Sequence, residues 1–518
     1  MRRRDVLASG AALLALPPGL RAQASGPVAT TPEGLRAAFT VPDWYRDAKL
    51  GLWAHWGPQC APEAGDWYGR HLYLQDHAQA AVHRERYSHP VEHGFIDVIE
   101  SWRAERWDPD AVFGAYAAAG ARFLVAMACH HDNFDLFPSA HHGWNSTRLG
   151  PRRDLVGGWA AAARRLGLPF GVSNHASHAW HWWQTAYGYD TVGPRRGERY
   201  DAFRLTAANG RGRAWQGLDP QALYTGPRMV PPDGLDSPAA MRAWHDANSG
   251  QWVETVPPGD EAFAQNWLAR QVALVEAYQP DFLYQDGYSL PFGDIGVAAA
   301  AHFYNQAIAR TGEFAGVMTA GFTEGQGTLL NLERRVAEAI RPEPWQTATC
   351  IGDWHYNRAR YLERSYVPAA DVIRQLADVV AKNGTLLLSV PVRGDGSLDE
   401  LELEILQQLG AWMAREGEAA IYGSRPWRVF GEETAGGVRY TVKGGALHAL
   451  LLQPRAGALR LAALRGEAVE RVTLVGGGPL SFSTAADGLD VILPGGIADR
   501  TVPVLRIDSR LSQQGERG

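Results

Sequence analysis

The sequence is poor in cysteine, in net charge and in long apolar runs, and each scarcity excludes a class of protein. Only three of the 518 residues are cysteines, Cys60, Cys129 and Cys350. They are too few for a disulfide scaffold and match no zinc motif, so no disulfide is expected. The net charge of −6 offers no electrostatic basis for binding nucleic acid. No stretch reaches the length of a transmembrane helix, so no membrane partner is expected once the amino terminus is processed.

The amino terminus has the composition of an export signal. Three arginines at positions 2–4 precede a short apolar stretch at 6–16, and a small-x-small sequence follows at 22–24. This order is typical of a cleaved secretory signal, and the arginines favour the twin-arginine type. The sequence therefore predicts an export signal over residues 1–24, a linker over 25–41, and a periplasmic or secreted destination in a bacterium.

Aromatic residues are abundant, with 19 Trp, 18 Tyr and 16 Phe. Many of the tryptophans stand beside polar residues, a combination that suits stacking on sugar rings whose hydroxyls need polar partners. The hydrophobic content of 46% and charged content of 20% are ordinary for a globular protein. The length predicts one large domain and a smaller one.

Strands and helices alternate through most of the chain. Apolar runs typical of strands occur at 49–57, 123–129, 168–175 and 281–284, with helical segments between them. This alternation predicts a parallel α/β sheet. Histidine and tryptophan recur just after several strands, which favours a closed (β/α)8-like, TIM-type barrel with its site at one rim.

The predicted barrel covers residues 42–420 and is followed by a second domain. Residues 186–260 interrupt the alternation, and we interpret them as an insertion over the barrel mouth. From residue 424 to residue 510 the sequence contains short strands separated by glycine-rich turns. This pattern predicts a C-terminal antiparallel β-sandwich.

Asp286 is the candidate nucleophile because it ends the apolar run 281–284 in an aspartate-glycine turn. Chemistry in a parallel barrel is built at the carboxyl ends of the strands. His55 and Trp56 end another predicted strand, and His130 and His131 end a third. Neighbouring histidines on a continuing strand point in opposite directions, so no metal site is expected. Neutral imidazoles that bind sugar hydroxyls fit better.

Six segments, in this order, resemble the α-L-fucosidases of glycoside hydrolase family 29. They are LGLWAHWG at 50–57, CHHDNF at 129–134, WNS at 144–146, GPRRD at 150–154, LYQDG at 283–287 and NGTLLL at 383–388. The resemblance implies a barrel followed by a β-sandwich, an exo-acting enzyme that releases α-L-fucose from a fucosylated oligosaccharide or glycoconjugate, and no organic cofactor or metal.

The resemblance also implies a retaining mechanism with Asp286 as the nucleophile. Retaining glycosidases need a second carboxyl group that acts as acid and then as base. Glu333 is the best match for this group, Glu343 is the second candidate, and Asp66, at the family's acidic-Trp-Tyr position, is the third. The attacking carboxylate must be ionised, whereas the acid must keep its proton near neutral pH.

The same resemblance implies a set of residues that bind the sugar. His55, His130 and His131 would bind the fucose hydroxyls, and Trp56, Asp66, Trp67 and Tyr284 would shape the pocket. Tyr284 stands where many members have tryptophan, His175 and Gln346 also depart from the common pattern, and these differences put the linkage preference and the exact sugar in question.

Three other functions remain open at this point. A hydrolase of an α-linked galacto-configured sugar would turn over galactosides, and a carbohydrate-binding protein without catalysis would turn over nothing. A metallohydrolase built on His130, His131 and Asp132 would lose its activity with a chelator. The sequence does not determine the oligomeric state.

Overall fold

Seven parallel strands form one curled sheet at the centre of the molecule. The computed structural model describes residues 26–251, 253–433 and 436–509, so the export signal predicted at 1–24 lies outside the described residues. The sheet order is β5-β4-β3-β2-β1-β7-β6. The strands are β1 (Leu50–Ala54), β2 (Phe123–Cys129), β3 (Phe170–Asn174), β4 (Phe282–Gln285), β5 (Val317–Ala320), β6 (Trp345–Cys350) and β7 (Gly384–Ser389).

A short extended segment, 329–331, closes the sheet into a barrel. It forms a parallel bridge to β5 through Leu329 and Thr319, and another to β6 through Asn331 and Gln346. The backbone N–H of Leu329 donates to Met318 at 2.8 Å, and that of Gln346 donates to Leu330 at 2.8 Å. The predicted (β/α)8-like barrel is therefore confirmed, with this segment in the place of an eighth strand.

Helices cover the outside of the barrel and bury both faces of its strands. Residues of β1, β2, β3, β4, β5 and β7 are all buried, as expected for a parallel sheet that lies between a packed interior and helices. The longer helices are Ala78–Tyr87, Phe95–Ser101, Pro109–Ala118, Leu155–Arg165, Glu261–Tyr278, Asp294–Thr311, Ala369–Ala381 and Glu400–Trp412.

The segment predicted as a linker over residues 25–41 contains one short helix. Helix Pro32–Ala38 begins there, with the side chain of Thr31 accepting the backbone N–H of Gly34 as an N-cap. Its Leu35 is fully buried. Asn305 holds the preceding turn by hydrogen bonds of 2.9 and 3.0 Å to the backbone of Val28. Val28 and Leu35 are the buried residues that attach this segment to the barrel.

The insertion predicted over 186–260 is built mainly from short helices joined by turns. Its regular elements include Asp201–Arg204, Ala207–Gly210, Pro220–Tyr224 and Pro238–Asn248. The end of the insertion approaches the barrel mouth, where Glu254 accepts a 2.7 Å hydrogen bond from the backbone N–H of Tyr288. This contact ties the end of the insertion to the loop that follows β4.

The C-terminal domain consists of two antiparallel sheets. One has six strands in the order β13-β12-β16-β10-β9-β8, and the other has three in the order β11-β15-β14. Sequence patterning predicted no strand of the smaller sheet, in which Gly457–Leu461 and Phe482–Ala485 have few buried residues. The strands are β8 (Arg425–Glu432), β9 (Val438–Lys443), β10 (Ala446–Leu451), β11 (Gly457–Leu461), β12 (Val469–Leu474), β13 (Gly478–Pro479), β14 (Phe482–Ala485), β15 (Gly488–Leu493) and β16 (Val504–Ser509).

A buried ion pair joins the barrel to this domain. The Glu416 side chain is fully buried and contacts the guanidinium of Arg500. Its other oxygen accepts the backbone N–H of Val504 at 3.2 Å. Trp412 adds a 3.1 Å hydrogen bond from its indole to the carbonyl of Val502. Removing one member of a buried ion pair leaves the other without compensation.

We expect Glu416→Gln to lower the free energy of unfolding by roughly 3 kcal/mol. Glu418→Gln is the matched control, because Glu418 pairs with Arg122 at the surface at 3.1 Å and exposed pairs contribute about 1 kcal/mol or less. Thermal unfolding should show a midpoint several degrees lower for Glu416→Gln alone. Equal midpoints for the two variants would contradict the assigned role of the buried pair.

No helix within the described ranges combines the length and the apolar character needed to cross a bilayer. Cys60, Cys129 and Cys350 are all buried and free.

Candidate active site

A cavity of about 350 Å³ opens at the carboxyl ends of the barrel strands. Most of its lining comes from residues that directly follow a strand or end it, which is where active sites of parallel barrels are found. The lining residues are Trp53, His55, Trp67, His130, His131, His175, Tyr284, Asp286, Gly287, Tyr288, Phe322, Glu333 and Trp354.

Asp286 follows β4 directly and is held between two imidazoles. One of its carboxylate oxygens lies 3.3 Å from Nε2 of His131 and 3.3 Å from Nδ1 of His175. Burial alone would raise the pKa of Asp286, but electrostatic attraction to His175 and hydrogen bonding from His131 hold it well below its usual range. Asp286 is therefore ionised at neutral pH, as a nucleophile must be.

Glu333 lies in the same cavity, just after the segment that closes the barrel. Its side chain is half-buried. Burial, together with the negative charge of Asp286, raises the pKa of Glu333 to about 7. The two carboxyl groups thus occupy different protonation states near neutral pH, which is the arrangement needed for one nucleophile and one acid.

The two other acid candidates do not share this environment. Glu343 is exposed and lies outside the cavity lining. Asp66 also lies outside the lining, and it accepts backbone hydrogen bonds from Trp354 at 3.1 Å and His355 at 2.6 Å. Burial raises the pKa of Asp66, but hydrogen bonds and electrostatic attraction from His355 outweigh this effect and bring the pKa below its usual value. Asp66 is therefore an anion that holds the Trp354 loop in place.

Buried histidines form the floor of the cavity. Burial lowers the pKa of His55 and of His130 well below the usual value and that of His131 to about 4, so these rings are neutral at pH 7. Both ring nitrogens of His55 lack a hydrogen-bond partner. Buried polar atoms normally have partners, so His55 presents a donor and an acceptor to a polar ligand.

His130 and His131 both line the cavity, although neighbouring side chains on a continuing strand would point in opposite directions. Strand β2 ends at Cys129, so the alternation of side chains stops before them. Their ring centroids are 4.2 Å apart. Arg270 fixes the loop behind them through a buried ion pair with Asp135 at 2.6 Å and a 2.7 Å hydrogen bond to Asn133.

Of the predicted pocket-shaping residues, Trp67 and Tyr284 line the cavity and Trp56 does not. Trp56 is fully buried, and its indole N–H donates to the carbonyl of Arg393 at 2.8 Å. Its ring packs edge-on against Trp102 at 5.1 Å, so its role is in the core. Tyr284 accepts a 3.0 Å hydrogen bond from Asn331, which belongs to the segment that closes the barrel.

Sequence reasoning gave no role to several residues that the fold brings to the site. His175 contacts Asp286, and Trp354, Tyr288 and Phe322 line the cavity. His175 and Tyr288 follow predicted strands, so their positions alone could have identified them. Trp354 belongs to the loop after β6, a strand that the sequence analysis did not predict.

Glu254 reaches the nucleophile loop from the insertion. One of its carboxylate oxygens lies 3.2 Å from Nε2 of His178 and accepts the backbone N–H of Tyr288 at 2.7 Å. Gly287 lies between Asp286 and Tyr288 in the chain and has a φ of +135°. A Cβ at this position would be 2.4 Å from the Glu254 oxygen that accepts these bonds. Glycine is therefore required next to Asp286.

Some of the histidines are close enough together to bind a metal ion. Within the described part of the chain, three sets have ligand atoms within 4.8 Å of one another, and Asp132 belongs to none of them. Asp132 instead accepts hydrogen bonds from Gln59 and from the backbone N–H of Phe134. The alternative built on His130, His131 and Asp132 is thus not assembled. The sets are His55, His130 and His355; His130, His131 and His175; and His131, His178 and Asp286.

A parallel barrel whose cavity holds one carboxyl group of lowered pKa and one of raised pKa has the arrangement that a glycoside hydrolase needs. The family model described as alpha-L-fucosidase matches residues 20–418. The chain belongs to the α-L-fucosidase family, and its reaction is the release of fucose from glycosides.

Individual relatives align with this chain over most of their length. The chain is 26% identical to the tissue alpha-L-fucosidase of Homo sapiens, over 88% of this chain and 85% of that protein. It is 24% identical to the alpha-L-fucosidase of Branchiostoma floridae, over 88% and 89%. Among solved structures, an α-L-fucosynthase of Thermotoga maritima superposes with a TM-score of 0.71 at 23% identity, covering 93% of this chain and 100% of that one. The last comparison supports the fold.

We expect the rate on a fucosyl disaccharide to fall as the pH rises through about 7. The alkoxide leaving group needs a proton, and Glu333 holds one only below its raised pKa of about 7. Asp286 stays ionised at acidic pH. Glu333→Gln should lower kcat/KM by roughly 10²–10⁴-fold and remove the alkaline decline, whereas Glu343→Gln should keep the wild-type profile. An unchanged alkaline decline in Glu333→Gln would contradict the assignment.

Proposed function

We propose that the chain hydrolyses α-L-fucosides with retention of configuration, with Asp286 as the nucleophile and Glu333 as the acid and base. The observation that supports this most directly is the pair of carboxyl groups in one cavity, with the pKa of Asp286 held low and that of Glu333 raised to about 7. Two such groups are what a double displacement requires.

In the first step, an Asp286 oxygen attacks the anomeric carbon, and Glu333 gives its proton to the departing glycosidic oxygen. The bond to the leaving group breaks, and a β-fucosyl ester of Asp286 forms. After it has lost its proton, Glu333 is a carboxylate near the ester and can act as a base. In the second step, Glu333 takes a proton from water, the hydroxyl attacks the same carbon, and Asp286 leaves as a carboxylate.

We infer that the neutral histidines bind the hydroxyls of the sugar. His55 has two buried nitrogens without partners, and His130 and His131 stand beside it in the lining. A neutral imidazole supplies one donor and one acceptor, which matches a ring hydroxyl. Trp67 and Tyr284 supply aromatic walls in the same cavity.

The decisive experiment compares wild type with Asp286→Gly on 4-nitrophenyl α-L-fucoside, with and without azide. We expect wild-type turnover and a fall of about a thousandfold or more in the variant. Azide should restore turnover and yield the β-fucosyl azide, because it fills the space of the lost carboxylate. Asp294→Gly, which removes an exposed carboxylate outside the cavity, is the matched control and should stay active.

An active Asp286→Gly enzyme without azide would refute the assignment of the nucleophile. A wild type that hydrolyses the matching galactoside and not the fucoside would refute the sugar.

We also propose that the chain is exported, on the basis of the arginines at 2–4 and the apolar stretch after them. Cell fractionation of a bacterial host should recover the protein outside the cytoplasm and shortened by about 24 residues, in line with the usual length of such signals. Replacing the arginines by glutamines should leave the full-length chain inside. Export that is indifferent to these arginines would contradict the proposal.

A further inference from the structure

The mouth of the cavity carries an aromatic surface that the reaction at Asp286 does not use. Tyr288 and Phe322 line the cavity, and their ring centroids are 5.7 Å apart with an angle of 43° between the planes. The Tyr288 side chain is 50% exposed. A large exposed aromatic at a cavity rim indicates a binding surface more than a core residue.

The backbone of Tyr288 is fixed on both sides. Its N–H donates to Glu254 at 2.7 Å, and its carbonyl accepts the hydroxyl of Thr323 at 2.7 Å. Thr323 also donates its backbone N–H to the same carbonyl at 3.2 Å. The ring therefore projects from a rigid loop two residues after the nucleophile, and a rigid platform loses little entropy when a ligand stacks on it.

One arginine contacts this surface, and its neighbour in the chain contacts another cavity residue. The guanidinium of Arg335 lies 4.7 Å from the ring centroid of Phe322, and that of Arg334 lies 5.0 Å from the ring centroid of Trp354, another cavity residue. Both side chains are exposed. Neither appears in the ion pairs found between described residues, and Arg334 donates a 3.1 Å hydrogen bond to the sulfur of Cys350.

Arg334 and Arg335 stand next to the residue that we assign to the leaving group. Arg334 and Arg335 follow Glu333 in the chain, and Glu333 is the group that we assign to protonate the glycosidic oxygen. The residue that departs with that oxygen therefore lies beside these arginines and the Tyr288–Phe322 pair. The chain as a whole carries a net charge of −6, which repels anionic ligands. The positive charges of Arg334 and Arg335 attract them locally.

We propose that Tyr288, Phe322 and Arg335 form the leaving-group subsite, and that this subsite takes a sugar carrying a carboxylate or sulfate group. The sugar ring stacks on the aromatic pair, and its anionic substituent accepts hydrogen bonds from the guanidinium, a geometry that suits both anions. This inference rests on the proposed function, because it names the leaving group of that same reaction.

The test uses three disaccharides of one linkage: α-L-fucosyl galactose, its 6-sulfate, and the galacturonate in which the 6-position is a carboxylate. We expect wild type to show a kcat/KM at least about fivefold higher on an anionic disaccharide than on the neutral one, and this ratio should shrink as salt is added. A preference for one anion alone identifies which of the two the subsite takes.

Arg335→Gln should reduce the anionic-to-neutral ratio to about one, and Arg335→Lys should retain part of it, because a lysine keeps the charge without the planar fork. An effect of the variant on Glu333 or on folding changes kcat/KM by the same factor for both substrates, so it cancels in the ratio. Arg455→Gln, at an exposed arginine of the C-terminal domain, is the matched control and should keep the wild-type ratio.

A wild-type ratio near one, or an Arg335→Gln ratio equal to that of wild type, would overturn the inference. Hydrolysis of α-L-fucosyl fluoride, which has no leaving-group ring, separates this failure from a wider one. Turnover of the fluoride without any charge preference overturns the subsite alone. A wild type that leaves the fluoride intact overturns the proposed function and the inference together.

Discussion

The negative charge of Asp286 is the feature on which the rest of the site depends. It is kept ionised by His131 and His175, each 3.3 Å from one carboxylate oxygen, and it contributes to the raised pKa of Glu333. One charge therefore sets both protonation states that a double displacement needs. Burial lowers the pKa of His131 to about 4, so His131 acts on Asp286 as a hydrogen-bond donor, and His175 adds electrostatic attraction.

Each part of the fold delivers one component to this arrangement. Strand β4 ends at Gln285 and is followed directly by Asp286, and segment 329–331 closes the barrel and leads directly to Glu333. The loop after β2 supplies His130 and His131, braced by Arg270 from a helix behind it. The insertion contributes Glu254, which ties the loop after Asp286 to the barrel mouth. The site is therefore assembled from segments far apart in the chain.

The sequence predicted the parts of the molecule that depend on local patterns. Strands β1 to β4, the larger C-terminal sheet and the position of Asp286 after β4 follow from apolar runs and from the turns that end them. The closing segment 329–331 was missed because it is too short to show periodicity. The family resemblance implied a shared sugar-binding role for His130 and His131, whereas strand alternation pointed them apart because it assumed that β2 continues past Cys129. Trp56 was taken for a pocket residue because its burial against Trp102 and other tryptophans is a tertiary property.

The central claim is that Asp286 forms a covalent bond to the sugar, and trapping of that intermediate tests it most directly. A 2-deoxy-2-fluoro-α-L-fucosyl fluoride destabilises the transition states of both steps while its fluoride remains a good leaving group. The account predicts stoichiometric inactivation and a mass increase of one fluorosugar, which peptide sequencing by mass spectrometry assigns to Asp286. A label on another residue, or rapid turnover without any label together with an inverted product, would contradict the account.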